Sequence, residues 1–159
     1  MKNGKIALPL YKILYSVCFI VILSVIRGIT MTGEIGIAMD PNISLLAAIF
    51  CADALECEYR EKRWEVFCLF PKKSRMKTVR QRFLFQFGYL WILALAGYWL
   101  FYWQRPIQNG ISDLYLYGIF FLASGASIFF WGTLSMTIVN LTKKLLPGIG
   151  ITVFVWILV

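Results

Sequence analysis

The chain contains no histidine. That excludes the Ser–His and Cys–His pairs that activate a hydroxyl or thiol as a nucleophile. The four cysteines, Cys18, Cys51, Cys57 and Cys68, form no CxxC pair. They read as small buried hydrophobes rather than a zinc or disulfide set. Carboxylate chemistry remains. Asp53 stands at the end of an apolar stretch, and an ionisable group inside a membrane span is a functional candidate by default. Lys143, Lys144 and Arg80 are the expected partners. An intramembrane aspartyl protease needs two Asp on facing spans, and Asp53 is the one candidate this reading finds. The sequence therefore carries no catalytic constellation, and no cofactor or metal set.

The densest charge lies in "EYREKRWEVFCLFPKKSRMKTVRQR", residues 58–82, which holds nine Lys or Arg and three Glu. Placed on a helix, Glu58, Glu61, Lys62 and Glu65 fall at i, i+3, i+4 and i+7, one polar stripe. Trp64, Phe67 and Cys68 form an apolar stripe beside it, so the helix suits a membrane surface, with Trp64 and Phe67 as interface anchors. It ends at Pro71. Ser74 is the expected N-cap of the next helix. Arg75, Lys77, Arg80 and Arg82 then fall in its first turns, where cations oppose the helix dipole, so anionic headgroups, topology or an acidic partner must account for them.

The elements that position these residues are apolar. The chain is 60% hydrophobic and 15% charged, against about 45–50% and 25% in soluble domains. The expected architecture is all-α: one polytopic transmembrane domain over residues 1–159, with no nucleic-acid surface despite a net charge of +8. Spans are expected at about 10–31, 37–57, 83–103, 114–139 and 145–159, with 58–82 as a separate segment. Lys12 is expected to snorkel to the interface. Asp40 and Pro41 read as the cap and first residue of the second helix. Its apolar core is short, so either 35–39 contributes or the helix tilts. Tyr98, Trp99, Tyr102 and Trp103 suit an aromatic belt. Asn109-Gly110 carries turn chemistry. In the fourth span Gly118, Gly125 and Gly132 recur every seven residues, a stripe where another helix can approach closely. The fifth span reads as incomplete, as in a truncated chain.

The acidic-amphipathic stretch followed by Pro and Ser-Arg resembles the permease subunits of type-2 ATP-binding-cassette exporters. Glu58, Glu61, Glu65, Pro71, Ser74 and Arg75 carry the resemblance, with Arg63-Trp64 where that family has Gly-Thr and one extra residue between Pro71 and Ser74. It implies a six-helix half-transporter of which five spans are visible. Glu58, Glu61, Lys62, Glu65, Pro71, Ser74 and Arg75 would then dock on a separate cytoplasmic ATPase, with the helix that ends at Pro71 as the coupling helix. ATP and Mg belong to that ATPase, since no GxxxxGK[ST] loop occurs here. A second permease subunit, identical or not, completes the implied assembly. The alternative is a non-transporting small membrane protein, an immunity or sensor component, that recruits a cytoplasmic partner through the same loop.

Alternating loops puts fourteen Lys or Arg on one side and only Arg27 and Arg105 on the other. The positive-inside rule assigns the N-terminus and residues 58–82 to the cytoplasm of a (bacterial) cell. A membrane-impermeant maleimide applied to intact cells is therefore expected to label a Ser112→Cys variant and to leave Cys57 and Cys68 unlabelled until the cells are opened. The reverse pattern means the opposite orientation.

Overall fold

The structure, a computed structural model, describes residues 8–52, 69, 71–104, 106–107, 110 and 112–158. Among these it forms the helices α1 (Leu10–Ile26), α2 (Glu34–Ala52), α3 (Lys72–Trp103), α4 (Asp113–Thr142) and α5 (Leu145–Leu158). Three are long and apolar enough to cross a membrane: α2, α4 and the Lys73–Trp103 part of α3. The 17-residue α1 and the 14-residue α5 are shorter apolar helices.

Polar side chains join an apolar interior while many large apolar side chains face outward. In α1 the buried residues are Lys12, Ser16, Ile20 and Ser24, a four-residue repeat that is mostly polar. Tyr11, Leu14, Val21 and Val25 face outward. In α4, Ser124 and Ser135 are fully buried while Leu122, Phe129 and Phe130 are exposed. Hydrocarbon is the solvent that favours such an arrangement, because there a polar side chain finds its partner only inside the bundle.

α2 occupies the centre, packing most extensively on α4 and also on α3 and α5. Small residues make this possible: Ala38, Ser44, Ala47, Ala48 and Ala52 are all buried. The helices alternate in direction. Lys12 at the start of α1 meets Phe50 near the end of α2. Ser135 near the end of α4 donates to the Ala48 carbonyl at 2.5 Å. At the opposite end, Tyr102 of α3 donates to Asp113 of α4 at 3.0 Å. There the α1–α2 and α3–α4 connections also pair: Ile107 N–H donates to Thr30 O at 2.8 Å and Thr32 N–H to Ile107 O at 3.1 Å. Gly110 turns this second connection with φ +73°, a conformation that costs glycine little.

Several sequence expectations are corrected. α1 ends at Ile26, not Met31, because Arg27 leaves helical geometry at φ −93°, ψ 91°. α2 starts at Glu34 rather than at Pro41. Glu34 Oε2 accepts the Thr30 N–H at 3.2 Å, the Thr30 hydroxyl at 3.1 Å and the Met31 N–H at 3.4 Å, fixing the connection that leads into the helix. Asp40 is therefore no cap, and Pro41 lies inside the helix. Residues 35–39 belong to this helix, which also sits among other helices. Proline removes one rung of the ladder. Nearby, the Ala38 carbonyl accepts Asn42 Nδ2 at 2.8 Å and Arg27 Nη1 at 3.3 Å. α3 begins at Lys72 with Pro71 in the cap position, and Ser74 sits in its first turn, donating its own N–H to Pro71 O at 2.9 Å. Of the cysteines, Cys51 is buried and Cys18 exposed.

The glycine stripe of α4 proves oblique to its buried face. That face follows Phe120, Ser124, Ile128, Gly132, Ser135 and Val139. A seven-residue repeat drifts about 20° per step on a straight helix, so the three glycines rotate into it one after another. Gly118 is exposed, Gly125 half-buried against Trp91, and Gly132 buried with an added Cβ 2.9 Å from Cys51 Sγ and 3.2 Å from Phe83 Cε2. Gly132→Leu is expected to cost about 1–3 kcal/mol by overpacking. Gly118→Ala, with nothing within 4 Å of its Cβ, is expected to be neutral or to gain up to ~1 kcal/mol in helix propensity. Thermal unfolding of the detergent-purified protein, followed by tryptophan fluorescence, checks both; equal effects contradict the oblique stripe.

Candidate functional site

Two regions of the described residues gather polar chemistry. The first is the end where α1 and α3 start and α2 and α4 finish. Lys73, Arg75, Lys77, Arg80 and Arg82 occupy the first three turns of α3, and Lys143 and Lys144 follow α4. Lys143 takes the left-handed conformation, φ 53°, and returns its N–H to Val139 O at 2.9 Å, the usual helix-ending bond. Arg82 and Gln86 are buried on α3. Lys12 does not reach outward as its stem would allow. It is buried, donates to the Phe50 carbonyl at 3.4 Å and lies 5.1 Å from the Phe50 ring centre. The ring face adds a cation–π attraction.

Of the expected docking residues, the structure describes Pro71, Ser74 and Arg75: Pro71 and Ser74 are exposed, Arg75 half-buried. Glu58, Glu61, Lys62, Trp64, Glu65 and Phe67 lie outside the described residues, as does Asp53. At the far end of α3, Trp99 and Trp103 are exposed as interface anchors require. Tyr98 departs from that belt, being 4% exposed and turned inward between α2 and α4, with its ring 5.0 Å from that of Phe120.

Tyr98 belongs to the second region, which the sequence reading missed. The beginnings of α2 and α4 and the end of α3 line an outward-open groove of about 260 Å³. Thr32, Gly33, Gly36, Ile37 and Asp40 line it from the α2 side, Tyr98 from α3, and Leu116, Ile119, Phe120 and Ala123 from α4. Asp40 Oδ2 accepts the Ser127 hydroxyl at 3.1 Å. Three other buried oxygens on this lining have no hydrogen-bond partner among the described residues: Asp40 Oδ1, Thr32 Oγ1 and Tyr98 Oη. Buried polar atoms are satisfied almost without exception, so each of the three marks a place that a water or another polar group would satisfy. The intramembrane acid on this wall is thus Asp40, and Asp53 is no longer the one candidate. The signal that could have found it is Glu34 just after Thr32-Gly33, which moves the helix start upstream and turns Asp40 from a cap into an interior residue.

No carboxylate or thiol cluster among the described residues could hold a metal ion. Comparisons with protein-family models, characterised proteins and solved structures find no match to this chain.

The buried Lys12 generates a prediction. Lys12→Met removes the cation from the Phe50 carbonyl and ring and is expected to cost about 1–2 kcal/mol, while Lys12→Arg keeps most of the stability. Unfolding temperatures of the purified variants check it, and an unchanged value for Lys12→Met contradicts the buried contact.

Proposed function

We propose that the chain is the membrane-spanning permease subunit of an ATP-driven exporter, acting with a second permease subunit and a separate cytoplasmic ATP-binding-cassette ATPase. The observation that carries the reading is the pattern Glu58, Glu61, Glu65, Pro71, Ser74 and Arg75 between two apolar helices. Residues 53–71 join the end of α2 to the start of α3. α2 is the most buried of the three long helices and packs most extensively on α4. A displacement applied between α2 and α3 therefore reaches α4 through close-packed small side chains, which transmit strain rather than absorb it. The Lys and Arg of early α3 and Lys143-Lys144 gather at the same end. This supports a multi-pass protein of the bacterial cell membrane with that end, and the N-terminus, in the cytoplasm. In this reading the chain is not an enzyme, ATP and Mg bind the partner ATPase, and anionic lipid contacts the basic turns.

Co-purification tests the proposal. Affinity-tagged protein extracted from native membranes is expected to bring an ATP-binding-cassette ATPase with it. Glu61→Lys together with Glu65→Lys is expected to reduce that recovery about tenfold or more, since like charge set against a complementary surface costs over 1 kcal/mol. Recovery of the chain alone from functional membranes defeats the exporter reading and leaves the recruiting membrane protein.

A further inference from the structure

We infer that the exposed face of the first three turns of α3 is a binding site for the headgroup of an anionic phospholipid, with one phosphate held between Lys77 and Arg80. The helix itself gives the depth. α3 has 32 residues and is about 48 Å long, against about 30 Å of hydrocarbon in a bilayer. The exposed rings of Trp99 and Trp103 mark one interface. Counted back from Trp103, about 30 Å of helix ends at Phe83. Lys77 and Arg80 therefore stand at the depth of the opposite headgroups.

Spacing sets the face. Lys73, Lys77, Arg80 and Leu84 fall at i, i+4, i+7 and i+11, one stripe of the helix, and all four are exposed. The neighbouring cations leave this face: Arg75 is half-buried and Arg82 buried. Lys77 and Arg80 are about 4.5 Å apart along the axis, close enough for one phosphate to accept from both. Leu84, 55% exposed, continues the stripe toward the hydrocarbon, where the acyl chains lie.

The helix gains nothing by itself from gathering these charges. Like charges three and four residues apart destabilise it, and cations in the first turns oppose its dipole. The described carboxylates, Glu34, Asp40 and Asp113, belong to the opposite half of the bundle. An anion from the membrane surface offsets both costs. Lys143 and Lys144, both exposed, add an outer tier. Phe83 stands against Gly132 of α4, and from that contact Lys73 and Lys143 each lie about 15 Å further on along antiparallel helices. A phosphate balanced by its own ammonium gains less from two cations, so the site prefers an anionic lipid to a zwitterionic one. This site deepens the lipid contact proposed above and needs no ATPase. Failed co-purification therefore leaves it standing, and its own failure leaves the exporter reading standing.

The test is electron paramagnetic resonance on the full chain reconstituted in phosphatidylcholine vesicles, without any ATPase. Phosphatidylglycerol and phosphatidylcholine, each spin-labelled near the end of an acyl chain, report the lipid held against the protein. Phosphatidylglycerol is expected to associate at least about threefold more strongly. Lys77→Gln with Arg80→Gln is expected to bring the two lipids to parity, whereas Lys143→Gln with Lys144→Gln keeps most of the preference. Vesicles offer lipid on both faces, so inverted insertion leaves the readout unchanged. Lys77→Gln alone, expected to lower the preference by about half, carries the test if the double variant does not fold. Equal association of the two lipids with the unmodified chain overturns the inference, in favour of an acidic protein partner or of charge that only sets topology. Equal losses from the two double variants also overturn it, because a diffuse basic surface then draws the lipid.

Discussion

The rest of the structure depends on the burial of polar side chains within the bundle. When the surroundings are apolar, a serine or lysine on an outer face has no partner, whereas leucine and phenylalanine lose nothing there. Inner faces therefore collect Lys12, Ser16, Ser24, Gln86, Ser124 and Ser135, and the helices are tied through them. Ser16 and Tyr89 share a hydrogen bond of 2.6 Å between α1 and α3. Trp91 donates to Phe121 O at 3.2 Å between α3 and α4. Gln104 reaches Ser24 from the end of α3. Each such bond is worth on the order of 1 kcal/mol, and their value lies equally in fixing which helix faces which.

Close packing supplies what these bonds do not. The backbone of α2 can approach α4 because both contribute short side chains at the contact, Ala47, Ala48 and Cys51 on one side and Ser124, Gly132 and Ser135 on the other. Packing of small residues lets dispersion act along the whole contact where no hydrophobic driving force separates helix from lipid. The same closeness leaves gaps where side chains are fewer, and the Gly33–Gly36 stretch forms one wall of the groove holding Asp40.

Much of the helical architecture was legible because runs of about 20 apolar residues have few alternative explanations. The existence of α2, α3 and α4 and the turn at Gly110 follow directly from the letters. Boundaries were harder. Asp40-Pro41 is a strong local start signal, and it lost to Glu34, whose carboxylate gathers three donors from Thr30 and Met31. That contest cannot be judged from local preference alone, because both stretches can open a helix. Basic residues hid the early start of α3, since cations in a first turn oppose the dipole yet Pro71 pre-sets the entry. The inward turn of Lys12 and Tyr98 was likewise illegible: each has an apolar stem or ring and a polar tip, and only the neighbouring helices decide which way the tip goes. The groove on Asp40 inherits that difficulty, as its three oxygens come from residues 32, 40 and 98.

The paired connections carry a mechanical consequence. Backbone bonds between Thr30, Thr32 and Ile107, with Gln104 on Ser24 and Tyr102 on Asp113, bind four helices together at one end. The opposite end is tied as well, by Lys12 on Phe50 and Ser135 on Ala48, so the 19-residue α2, about 28 Å long, is held near both of its described ends.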